Sequence, residues 1–176
     1  TSNLTVINPA LFRYFEKFKE AWLSVSVEGT HATHEYLRYG HTWQKLASNL
    51  KLVQDMKIKN LILKINHVVQ APSYHSIIDM THFFDSLGLE IHPIMLSSPK
   101  HFHISALTQH AKEKFLADTE NYVGSNKEFI NFVRNATREN IKQDKMLTAD
   151  CIKHLEDFDK VRKNSHKDII PIDNLC

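Results

Sequence analysis

Three short runs rich in β-branched residues, Ala21–Val27, Asn60–Gln70 and Leu89–Leu96, are separated by stretches of helical periodicity. A helical connection returns the chain to the same end of a sheet, so strands joined this way lie parallel, with right-handed crossovers. In the first run Leu23, Val25 and Val27 alternate with Trp22, Ser24 and Ser26, the period of a strand with one buried face. The second stops at Ala71-Pro72 and the third at Ser97-Ser98-Pro99. Between the first two, Thr42 caps a helix that turns Trp43, Leu46, Ala47, Leu50 and Val53 inward. Between the second and third, a helix from about Tyr74 to Leu87 carries Ile77, Ile78, Thr81 and Phe84, with Gly88 as its C-cap. Upstream, Asn8-Pro9 is a helix start, followed by an apolar face of Leu11, Phe12, Phe15 and Phe18.

Beyond Leu96 the β signal ends. Helical stretches follow, opened by Ser105, Ser125 and Thr148, and the tail from His166 to Cys176 reads as irregular. The expected fold is therefore α/β: a partial parallel barrel over residues 1–104, with a helical C-terminal region over 105–176 packed on it. The segment around Asn3–Val6 reads as the end of a strand already under way, so the first strand is expected to present an open sheet edge.

The chain has 176 residues, 42% of them hydrophobic, enough to bury a core. Its 22 basic and 20 acidic residues nearly cancel, which gives no field for nucleic acid or a membrane surface. No apolar run approaches the roughly 18 residues of a membrane span. The expectation is a cytoplasmic protein. The cysteines, Cys151 and Cys176, make neither a disulfide framework nor a metal site.

Ligands of parallel α/β sheets lie beyond the C-terminal ends of the strands. At the first such end stand Ser26, Glu28 and Gly29, and Arg38 follows a short helix later. A hydroxyl and a carboxylate suit ribose hydroxyls, and arginine offers a fork for a carboxylate or phosphate. Gly29 permits a sharp turn and close approach to a ligand. The alternative is a plain turn with a surface Arg38–Glu35 pair. On the second strand, Lys64 and Asn66 share a face opposite Leu63, Ile65 and His67. If that second face packs on helices, Asn66 looks into the mouth; the alternative is an edge strand showing polar residues to water. The chain's 12 histidines form no recognisable metal set: His31-x-x-His34 fits no common site, and His67 and His92 read as hydrogen-bonded strand residues.

These residues resemble a known family. The stretch "SVSVEGTHATHEYLRYGHTWQKLASNLKLV" (residues 24–53) is similar to the Ser-x-Asp-Gly … Glu-Tyr-Ile-Arg-x-Gly-x-x-Trp block of radical SAM proteins, closest to those with twitch or SPASM-like regions. "TSNLTVINPALF", "LSSPKHFHISAL" and "LEDFDKVRKNSHKDIIP" resemble the flanking segments of the same group. The resemblance implies the C-terminal half of a partial (β/α)6 barrel, strands three to six, with a helical extension. It implies that Ser26 contacts the ribose or carboxylate of S-adenosylmethionine (SAM) and that Arg38 clamps its methionyl carboxylate. Asn66, Gln70 and the backbone near Met95 would border the ribose and adenine.

Two departures stand out. Glu28 replaces the usual Asp, and the Cys-x-x-x-Cys-x-x-Cys loop that binds the [4Fe-4S] cluster is absent, as is the Gly-Gly-Glu-Pro strand. The implied whole protein is a radical SAM enzyme forming a 5′-deoxyadenosyl radical for hydrogen abstraction, with a peptide as substrate by analogy. This chain would supply part of the SAM pocket and the substrate wall, with no catalytic residue assignable, and would depend on a missing N-terminal half-barrel. The rivals are a non-catalytic half-barrel scaffold without the cluster and an unrelated α/β nucleotide binder.

Overall fold

The computed structural model describes residues 1–175, Ile172 by its backbone alone. The reading of Cys176 lies outside the described residues. In chain order the elements are α1 (Pro9–Phe12), β1 (Ala21–Ser26), α2 (His31–Leu37), α3 (Trp43–Asp55), β2 (Leu61–Val69), α4 (Ile77–Ser86), β3 (Glu90–Met95), α5 (Gln109–Asp118), α6 (Lys127–Glu139) and α7 (Lys145–Arg162). Short 3₁₀ turns join several of them.

The strands form one parallel sheet in the order β1-β2-β3. Ala21 to Ser26 lie opposite Leu61 to Asn66, and Lys64 to Val69 opposite Glu90 to Met95. An isolated parallel bridge sets Ser2 against Val25, with Ser2 N–H donating to Ser24 C=O (2.8 Å) and Ser26 N–H to Ser2 C=O (3.0 Å). Neighbours in the sheet thus follow chain order from Ser2 to Met95.

Alternation sorts the two faces. Leu23, Val25, Ile65, His67, Val69 and Ile91 point to the helices and are buried. All of these but His67 join Leu46, Leu50, Ile77, Met80, Phe84, Phe129, Val133 and Leu155 in one core cluster that runs from the sheet into the C-terminal helices. On the other face Trp22 is 56% exposed and Ile94 41% exposed, while Ser24, Ser26, Lys64 and Asn66 are half-buried. Parallel sheets are ordinarily covered on both sides, so this open face, mixed in polarity, is distinctive. Lys64 bridges it, pairing with Glu90 (3.1 Å) and lying 4.7 Å over the Trp22 ring.

Both sheet edges are managed. Ser2 occupies part of the β1 edge, which leaves the Trp22 N–H and C=O on the open stretch. On the β3 edge the Asn126 side chain accepts from Ile91 N–H (2.7 Å) and donates to Leu89 C=O (3.0 Å), taking the place of a strand. Two residues further on, Pro93 has no N–H to offer a partner.

Several helix boundaries differ from those expected. The first helix is a single turn continued as a 3₁₀ segment, Arg13–Lys17, so only Phe12 is buried while Leu11 and Phe18 are exposed. The connection after β2 opens as a 3₁₀ turn over Ala71–Ser76, with Pro72 in its first turn, before α4 begins. The C-terminal caps are Thr108, Asn126 and Asp144 rather than Ser105, Ser125 and Thr148. Thr148 sits inside α7, where its hydroxyl donates to Ala106 C=O (2.6 Å). No described helix is long and apolar enough to cross a membrane.

Candidate functional site at the strand ends

Past the end of β1, Glu28 is buried and its carboxylate is shared. Arg38 Nη2 donates to Oε1 (3.0 Å) and Gln70 Nε2 to Oε2 (3.1 Å). Burial nevertheless raises the Glu28 pKa, outweighing the bonds from Arg38 and Gln70 that pull the other way. The surface pair Arg38–Glu35 does not form. Glu35 instead accepts from Trp43 N–H (2.9 Å) at the start of α3, and Arg38 turns inward.

Gly29 makes the turn, with φ at +116°, but what it admits is protein. A β-carbon there would stand 2.5 Å from Ser76 Oγ and 2.9 Å from Thr33 Cγ2. The expected approach to a ligand at Gly29 is therefore corrected: the missing side chain lets α2 close onto the 3₁₀ turn after β2.

Near the ion pair lie His34 and His41, weighed from the sequence only as metal ligands. His34 is 1% exposed, accepts from Glu28 N–H at Nδ1 (3.4 Å) and sets its ring edge-on to Trp43. Burial, then the nearby charges of Arg38 and His41, lower its pKa to about 4, so it is neutral. With Nδ1 accepting, the proton sits on Nε2. Asn3 Oδ1 accepts from Thr5, which leaves its amide NH₂ facing His41 Nε2 at 3.5 Å and puts the His41 proton on Nδ1.

Among the described residues His34 Nε2, His41 Nδ1 and Arg38 Nε are all buried and have no partner. Each buried N–H donor without an acceptor costs about 1–3 kcal/mol until one arrives. Arg38 follows the last residue of α2 and His41 lies beyond the turn at Gly40, so no helical periodicity in the sequence links them to His34.

The remaining expected residues divide. Ser26, Asn66 and His92 form a row across the open face, one from each strand, leading to Gln70 at the mouth. Met95 is paired with Val69, so its side chain lies on the helix-covered face and only its backbone is at the strand end. The structure thus brings Glu28, Arg38 and Gln70 into contact and sets Ser26 and Asn66 beside them.

Among the described residues no group of three or more His, Cys, Asp or Glu side chains could hold a metal ion. Cys151 is buried alone, and burial pushes its thiol up to about 12. These residues do not fit an iron–sulfur cluster. Compared with known proteins, the chain matches no family model, no curated protein and no solved structure.

Proposed function

We propose that the strand ends bind SAM, held at its carboxylate end by Arg38 with His34 and His41, and that the chain serves as the SAM-binding wall of a radical SAM-type half-barrel. One observation carries the reading: among the described residues Arg38 Nε, His34 Nε2 and His41 Nδ1 are buried N–H donors without a partner, and the carboxylate paired with Arg38 is that of Glu28. An incoming carboxylate satisfies the donors and shares the guanidinium. Ser26 and Asn66 then lie along the open face, where hydroxyl and amide groups suit a ribose.

Strands that follow chain order, with helices gathered on one face and the other face left open, suit the wall of a barrel. The cluster chemistry implied by the resemblance needs ligands that these residues do not supply. The chain's own part in the reading is to bind and orient, alongside further barrel strands that carry the cluster, with a peptide as the proposed substrate.

The test is calorimetric titration with S-adenosylhomocysteine and with 5′-methylthioadenosine, which keeps the adenosine and thioether but lacks the amino-acid end. Charged hydrogen bonds of roughly 1.5–3 kcal/mol predict ten- to hundredfold tighter binding of the first ligand. Arg38→Ala should bring the two together. Equal affinities in the unmodified chain would leave a plain nucleotide-binding half-barrel, and no binding of either ligand at millimolar concentration would end the reading.

A further inference from the structure

Helix α2 carries His34 and supports Arg38, yet little in its own sequence holds it. It has seven residues, too few for a helix to persist alone, and its N-cap Thr30 makes no side-chain capping bond. Its last turn is instead held from the far end of the chain. Tyr36, 2% exposed, donates its hydroxyl to Asp159 Oδ1 (2.8 Å) and Leu155 C=O (3.0 Å) on α7. Arg162 Nη1 donates to Tyr36 C=O, and its guanidinium lies over the rings of Phe158 (4.0 Å) and Tyr36 (4.9 Å).

Asp159 is the hub. Besides Tyr36 it accepts from His166 N–H (2.8 Å) and pairs with His166 Nδ1 (2.7 Å), which ties the turn after α7 into the same knot. Burial alone would raise its pKa, but the bonds from His166 and Tyr36 prevail and hold the carboxyl below its ordinary value.

We infer that Asp159 is a positioning residue for the strand-end site: through Tyr36 it fixes the helix that aims His34 and Arg38. The inference rests on the binding function proposed above. It makes ligand binding and docking of α7 one coupled equilibrium, because an ordered α2 is common to both. The coupling is confined to the carboxylate end, since Ser26 and Asn66 stand on strands that Asp159 does not touch.

Asp159→Asn and, as a milder change, Tyr36→Phe test it on the full chain. Affinity for S-adenosylhomocysteine should fall about fivefold or more, a coupling of the usual allosteric size, while affinity for 5′-methylthioadenosine stays constant. In the free protein, amide exchange should quicken at Arg38, whose N–H bonds His34 C=O (2.8 Å), and stay unchanged at Val25 and Ile65. A parallel loss of both ligands, or exchange that rises throughout the sheet, would reduce Asp159 to general scaffolding. Unchanged affinities with unchanged exchange would remove its role altogether. If the unmodified chain does not distinguish the two ligands, the binding proposal fails first, and the exchange data alone decide whether Asp159 orders α2.

Discussion

His67 illustrates how a single buried imidazole can set pH sensitivity. It lies on the helix-covered face of β2, fully buried, with Nδ1 against Val27 C=O (2.9 Å), Nε2 unpartnered and its ring edge-on to Phe129. Burial lowers its pKa to about 4, although the Val27 bond opposes the shift. The unfolded chain, titrating near 6.5, binds the proton more readily, so stability contributed by neutral His67 is present above pH 6.5 and lost as the pH falls toward 4. The loss is on the order of 3 kcal/mol for this residue, and His34 and His75 act in the same direction. Urea midpoints measured between pH 7 and pH 4.5 should fall steeply in the unmodified protein and less steeply in His67→Leu; equal slopes would refute the assignment. At this scale Glu28, Arg38 and Gln70 were legible because strand-end polar residues are few. His34 and His41 were missed because the histidines were weighed as metal ligands, and the turn after α2 that brings His41 near His34 has no periodicity to reveal it.

At the scale of elements, β1 to β3 were legible, but the strand end expected around Asn3–Val6 is only a bridge at Ser2, and the helix ends were not legible. Alternation in Leu23, Val25 and Val27 reflects burial on one face and survives any change of neighbours. A cap depends on tertiary context as well as residue type. Asp144 accepts from the first free N–H groups of α7 in the place expected of Thr148, while Asn126 stands at the start of α6 with its side chain committed to the β3 edge and Asp85. Likewise, nothing in the glycine itself said that Gly29 faces Ser76 rather than a ligand. That contact makes a sharp prediction. Gly29→Ala forces a side chain into the positive-φ region and against Ser76 Oγ, and should cost about 2–4 kcal/mol in chemical denaturation. Adding Ser76→Ala should recover the steric part and leave the backbone part. Strictly additive losses would show that the two turns do not touch.

For the molecule as a whole, order of elements and parallel pairing followed from the spacing of three runs. The docking of the C-terminal helices did not, because it rests on long-range contacts such as Tyr36 to Asp159 and Tyr74 OH to Thr137 Oγ1 (2.7 Å). Those contacts give one continuous core, while the other sheet face stays open. The central claim is that this mouth receives a carboxylate at Arg38. Its most direct test is the Arg38 Nε–H resonance, followed by NMR during titration with S-adenosylhomocysteine. The account predicts a saturable downfield shift as the buried donor gains its acceptor, with no such shift for 5′-methylthioadenosine. Binding that leaves the Arg38 Nε–H resonance unmoved would place the ligand elsewhere and contradict the account.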